Sequence, residues 1–290
     1  MNENINRMFN PIVRSRGANR PCSTSNQRSA DTGIFLSATH STPKVPKTPK
    51  SPDKSRFTLL TRRWIMSGKT TNEEIHMPKR STPPITLLEY ERLFRTIHAA
   101  VANEQGDSTK ACLFFAVAGA YLLKRHHKLS SACPVAGVAG YNLRTPTNFS
   151  MVFGIPENDT FVSDTNTFHC WVEADGWVID LMAPLFDDMA PAERKGAVIP
   201  RFMFQKPVIA DVKSISLDTP GATLHIPNDR LTTELIQGFT EKPAHSDLVR
   251  VCDQWYVRPP RKIAPSIGIE DQTGKAIEVF LSSVRIAGVW

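Results

Sequence analysis

The chain has 290 residues, 41% of them hydrophobic, enough to bury a sizeable core in one large domain or two small ones. Its net charge of +7 is uneven: residues 1–80 hold 15 Lys and Arg against 5 Asp and Glu, which leaves 20 against 23 for the remainder. The part able to fold is therefore slightly acidic, which argues against a specific nucleic-acid footprint, and no apolar run reaches the roughly 18 residues of a membrane-spanning helix.

Residues 1–80 read as a tail rich in Ser, Thr, Pro, Asn and Lys. The run Ser41-Thr42-Pro43-Lys44-Val45-Pro46-Lys47-Thr48-Pro49-Lys50-Ser51-Pro52 blocks helix with its prolines and offers nothing to a core. Disorder or polyproline II is expected there. Three readings stand: a solvated tail, an upstream extension if translation begins at Met66 or Met77, or an export or targeting leader with a weak attraction to anionic surfaces. The amino terminus lacks the basic, apolar, small-residue order of a signal peptide. The cysteines are odd in number, five, with one in the tail. A reducing compartment, the cytoplasm, is the default, with export through the leader as the alternative.

Residues 81–290 are expected to form a single domain with a carboxyl-terminal extension. After Pro83-Pro84 an amphipathic helix begins near Ile85, with Leu87, Tyr90, Leu93, Phe94, Ile97 and Val101 on one stripe, and it should stop near Gly106. His98 reads as a surface or flank residue. Gly106-Asp107-Ser108-Thr109-Lys110-Ala111-Cys112 then breaks the chain and starts a second helix, capped by Asp107 or Ser108. That helix, from Leu113 to Leu123, is apolar all round and so should be buried and central. Cys112 falls in its first turn, where the positive end of the dipole stabilises a thiolate and Lys110 adds charge. A buried structural cysteine is the alternative. His126 and His127 close the helix and point about 100° apart, so they do not chelate together.

Two small, apolar strands should follow, over Pro134–Leu143 and Asn148–Gly154, and then a hairpin over Thr167–Met182. Asp175-Gly176 suits a type I′ turn, in which both central residues have positive φ. This turn sets Ala174 opposite Trp177 and Val172 opposite Ile179. His169, Trp171 and Glu173 then share a face with Val178, Asp180 and Met182, and Asp180 becomes the diagonal neighbour of His169. The same alternation turns Cys170 away from His169. Beyond Pro184 the pattern weakens: strands are expected over Arg201–Gln205 and Val208–Leu217, short helices over Asp229–Gln237 and Ser246–Trp255, and alternating residues from Lys275 to Trp290.

A thiol at a helix start, an imidazole on a strand and a carboxylate on the next strand are the parts of an activated cysteine nucleophile. Gly106 to Cys112, His169-Cys170-Trp171-Val172-Glu173 and Gly176-Trp177-Val178-Ile179-Asp180, in this order, resemble the transglutaminase-like branch of the papain-like cysteine superfamily. In many relatives the Cys follows Gly-Asp directly; here Ser108 stands in that place and Cys112 comes one helical turn later. The resemblance covers about residues 100–185. It implies an α+β fold with a papain/transglutaminase-like core, a buried nucleophile helix packed on an antiparallel sheet. It also implies acyl chemistry on a peptide, protein or small amide: hydrolysis, deamidation or transamidation, with Cys112, His169 and Asp180 as the catalytic triad and no cofactor. It suggests Gln105 as an oxyanion donor beside the backbone N–H of Cys112, and Trp171 as a shield or cleft floor, against ordinary sheet packing. The rivals are a zinc site gathering Cys112, Cys133, Cys170 and Cys252, which lacks paired C-x-x-C spacing and so leaves no metal site expected, and a non-catalytic binding module that retains the fold. Ser108 as nucleophile is a minor variant of the first reading.

Overall fold

The computed structural model describes residues 12–14, 82–104, 106–143, 149–158, 160–190, 198–209, 217–270 and 274–290. Most of the basic tail therefore lies outside the described residues, apart from a strand β1, Ile12–Arg14. The first helix, α1, spans Leu87–Asn103 and opens on a capping box: Glu89 N–H donates to Thr86 Oγ1 at 3.3 Å while Thr86 N–H donates to Glu89 Oε2 at 2.9 Å. Tyr90, Leu93, Phe94, Ile97 and Val101 of the expected stripe are buried. His98 is half-buried, stacked on Phe94 with ring centroids 5.3 Å apart.

Asp107 does not cap the second helix. Its Oδ1 accepts from Thr109 N–H at 3.0 Å and so closes a separate 3-10 turn over Ser108–Lys110. The helix α2, Cys112–His127, starts after Ala111 without a side-chain cap. It is buried nearly all round, as an apolar helix in a layered α+β protein must be. It lies close on the sheet: a Cβ on Gly119 would fall 2.3 Å from Leu181 Cδ1 and 3.4 Å from Val172 Cγ2.

The strands follow as β2 (Cys133–Asn142), β3 (Ser150–Phe153), β4 (Ile155–Glu157), β5 (Thr160–Val162), β6 (His169–Ala174) and β7 (Trp177–Asp180). A short helix α3 (Phe186–Met189), β8 (Phe202–Pro207), β9 (Thr223–Pro227), α4 (Asp229–Thr240), α5 (Pro243–Trp255), β10 (Ser266–Glu270), β11 (Ala276–Phe280) and β12 (Gly288–Val289) complete the order. The main sheet runs β1-β3-β2-β6-β7-β8-β12, with β9 also paired to β2. Its pairings are antiparallel except for the parallel β8–β12 contact. The protein is thus mixed α+β, with helices packed on an antiparallel-dominated sheet.

β2 is the spine of this sheet. It pairs with β6 along Cys133–Gly137, with β9 along Gly137–Tyr141 and with β3 along Ala139–Asn142. The β6–β7 register is the one the turn dictates, Ala174 opposite Trp177 and Val172 opposite Ile179, with Asp175 and Gly176 at φ 49° and 77°. Asp175 N–H donates to Ser131 Oγ at 3.0 Å, tying this turn to the end of α2.

The carboxyl-terminal region is built into the same core. It supplies β8, β9 and β12 to the sheet, and Asp253 of α5 binds both Arg125 and His126 of α2 at 2.8 Å. Gln205 of β8 pins the entry to α1, accepting from Ile85 N–H at 3.1 Å and donating to Ile85 O at 2.9 Å. The strand expected over Val208–Leu217 is not formed where the chain is described: Val208 and Ile209 follow the end of β8, Leu217 lies in a turn, and 210–216 fall outside the described residues. The next strand is β9, which pairs with β2. Among the described residues no helix is long and apolar enough to cross a membrane.

Candidate active site

The start of α2 lies over the start of β6, which brings Cys112 to His169. Cys112, His169 and Asp180 are 3%, 1% and 0% exposed. His169 is the first residue of β6 and Asp180 the last of β7. On their shared face His169 Nε2 lies 2.8 Å from Asp180 Oδ2. Nε2 is engaged by Asp180, which leaves Nδ1 as the ring nitrogen available to the neighbouring Cys112 thiol.

Both carboxylate oxygens of Asp180 are hydrogen-bonded. Oδ2 also accepts from the Tyr141 hydroxyl at 2.6 Å, Oδ1 accepts from Met182 N–H at 2.8 Å, and the Tyr90 hydroxyl donates to the Asp180 carbonyl. The His169 ring is gripped by aromatic groups: it stacks on Phe153 at 4.4 Å and 23°, and meets Tyr141 edge-on at 6.1 Å and Phe186 at 6.5 Å.

Charge follows from this packing. Burial alone raises the Cys112 thiol, but a hydrogen bond from the Cys170 thiol, then the hydrogen bond and charge of His169, outweigh it and bring the pKa down to about 6. Burial pulls His169 down, but the Asp180 charge and hydrogen bond, with Cys112 behind them, push it up to about 10. Burial raises Asp180 too, and the imidazolium and the Tyr141 hydroxyl turn that into a net lowering. A thiolate–imidazolium pair is the favoured state between these limits. The Cys112 N–H lies in the first turn of α2, at the positive end of the helix dipole.

Other residues singled out from the sequence fall as follows. Trp171 is buried in the sheet, its Nε1–H donating to Glu173 Oε1 at 3.1 Å and its ring 5.0 Å from His225. Gln105 lies outside the described residues. Ser108 belongs to the 3-10 turn before α2. Cys112, Cys133, Cys170 and Cys252 are free thiols. Among the described residues no group of three or more His, Cys, Asp or Glu is arranged to hold a metal ion.

Cys170 keeps the face that strand alternation gives it, away from His169, and still reaches the site through Cys112. It does face α2 rather than His169, yet α2 begins above this end of the strand, so its thiol bonds that of Cys112 and its own pKa is pushed well up, by burial first and then by Cys112. Tyr141 and His225 were not legible at all. Tyr141 sits in a run of small apolar residues and reads as core, and His225 belongs to β9, which carries no strand pattern of its own.

Fold and site together define an α+β protein with a buried Cys, His and Asp cluster gathered where the start of the central helix meets the end of the β6–β7 pair. The chain belongs to the family described as protein of unknown function, DUF2026, whose model matches residues 86–290. It is similar to a solved structure described as "The crystal structure of genomics APC5867", with 28% identity and a TM-score of 0.62, over 73% of this chain and 99% of that one. No curated protein matches it.

Proposed function

We propose that this chain is a thiol-dependent acyl-transfer enzyme of papain and transglutaminase-like construction, with Cys112 as nucleophile, His169 as general acid and base, and Asp180 as the group that orients the imidazole. The substrate is a peptide, a protein or a small amide. The observation that carries the reading is the buried His169–Asp180 pair at 2.8 Å beside the Cys112 thiol, and the lowering of that thiol by its hydrogen bonds and by the His169 charge supports it. The order helix-start Cys, strand His, next-strand Asp is also that of the transglutaminase-like branch.

The thiolate Sγ attacks the carbonyl carbon, forming the C–S bond while the carbonyl π pair moves to oxygen, where the N–H of Cys112 meets it. Collapse of this adduct breaks the C–N bond, and the leaving amine takes the proton from His169. Water, or an acceptor amine, then attacks the thioester and gives its proton to the neutral imidazole, and the thiolate leaves. Water gives an acid, by hydrolysis or deamidation; an amine gives a new amide.

One observation favours a second reading. The three side chains are almost wholly covered, which suits a binding module that keeps the fold without turnover. The two readings separate on a panel of peptides and small amides offered to the wild type and to Cys112→Ala. Product formed by the wild type and not by the variant supports the enzyme; unchanged substrates with both support the module.

A further inference from the structure

We propose that Tyr141 and His225 are positioning residues of this site: the Tyr141 hydroxyl, itself held by His225, clamps the Asp180 oxygen on which His169 turns, so that the imidazole keeps one tautomer and one orientation toward Cys112. The inference rests on the acyl-transfer reading above and deepens it.

Asp180 Oδ2 takes two donors, His169 Nε2–H at 2.8 Å and Tyr141 O–H at 2.6 Å. A phenol has one proton to give. Burial, and then the Asp180 charge, push the Tyr141 pKa well up, so the hydroxyl stays protonated and its proton goes to the carboxylate. Its oxygen is then left to accept, and the group 3.1 Å from it is His225 Nε2. Burial holds His225 neutral, its pKa pushed down to about 3, so it has one N–H, and the tautomer with that proton on Nε2 is the one that donates to the phenol oxygen. In this arrangement His225 donates to Tyr141, Tyr141 donates to Asp180, and His169 donates to the same oxygen from the other side.

The backbone supports this row. Ala139 pairs with His225 and Tyr141 with Thr223 in the β2–β9 ladder, so Tyr141 and His225 are diagonal neighbours within side-chain reach. Trp171 at 5.0 Å and Phe204 at 5.5 Å flank the His225 ring. Phe204 meets the Tyr141 ring at 5.2 Å and 90°. The ionisable groups about the carboxylate are His169, Tyr141 and Tyr90, with Cys112 and Cys170 beyond His169 and His225 beyond Tyr141. A carboxylate held by one donor fewer can rotate about its Cβ–Cγ bond, and the imidazole then samples orientations off the thiol.

The test reads the protein itself and needs no substrate. Nuclear magnetic resonance follows the His169 Nε2 proton, and iodoacetamide follows the reactivity of Cys112 near neutral pH, in wild type, Tyr141→Phe, His225→Leu and His225→Gln, with thermal unfolding measured alongside. Tyr141→Phe and His225→Leu should broaden or abolish the His169 resonance by exchange with water and slow alkylation of Cys112 about tenfold. His225→Gln, whose amide can still donate to Tyr141, should recover most of both. Variants that lose only stability, with the His169 signal and Cys112 reactivity unmoved, or a Gln variant no better than the Leu variant, overturn the positioning role. A wild-type protein with no imidazolium signal and no selectively reactive Cys112 overturns the acyl-transfer reading instead.

Discussion

Replacing His169 with Gln removes the charge that faces Cys112 while leaving a side chain that can still hydrogen-bond. In the wild type a thiol pKa of about 6 leaves roughly nine-tenths of Cys112 as thiolate at neutral pH. Without the imidazolium, burial is opposed chiefly by Cys170, and the midpoint should move to or past the ordinary thiol value of about 8.5, where only about 3% is ionised at neutral pH, a loss of roughly thirtyfold. The assay is the ultraviolet absorbance of the thiolate against pH, taken as the difference from Cys112→Ser so that the other thiols cancel. Cys133 and Cys252 are in any case pushed up to about 11 and about 12, chiefly by burial. The wild-type rise should centre near pH 6 and that of His169→Gln above 8. A wild-type midpoint above 8, or one that the substitution leaves in place, refutes the reasoning.

Cys170→Ala removes the hydrogen bond that does most to lower the Cys112 pKa, so the same titration should rise by about one pH unit or more; an unmoved midpoint denies the thiol–thiol contact. Asp180→Asn and His169→Gln each break a buried pair and should cost about 3–5 kcal/mol in urea unfolding, yet the double variant should be less unstable than their sum by more than about 1 kcal/mol. Strict additivity would mean that the pair is not coupled. Gly137→Ala places a Cβ 2.1 Å from the backbone oxygen of Ile226, which cannot move aside as a side chain can; a loss of about 1–3 kcal/mol is expected, and unchanged stability would contradict the close β2–β9 pairing.

The parts of this protein that local chemistry specifies were legible from the sequence. Asp175-Gly176 fixes a register, and the register puts His169 and Asp180 on one face; the stripe of α1 and the all-apolar body of α2 declare themselves by period. What stayed hidden depends on distant partners. β9 is five residues long and gains its identity from β2, more than eighty residues earlier. Tyr141 looks like core because its ring is core, and only its hydroxyl belongs to the site. Cys170 shows the limit of alternation: knowing which face a side chain takes does not say which helix end crosses that face.

Acylation of Cys112 is the most direct measurement. The protein is mixed with a small activated ester and its intact mass and peptides are read before turnover. One acyl group on Cys112, absent from Cys112→Ser and strongly reduced in His169→Gln, is the predicted result. Acylation at other residues alone, or equal labelling when Cys112 is replaced, would contradict the account.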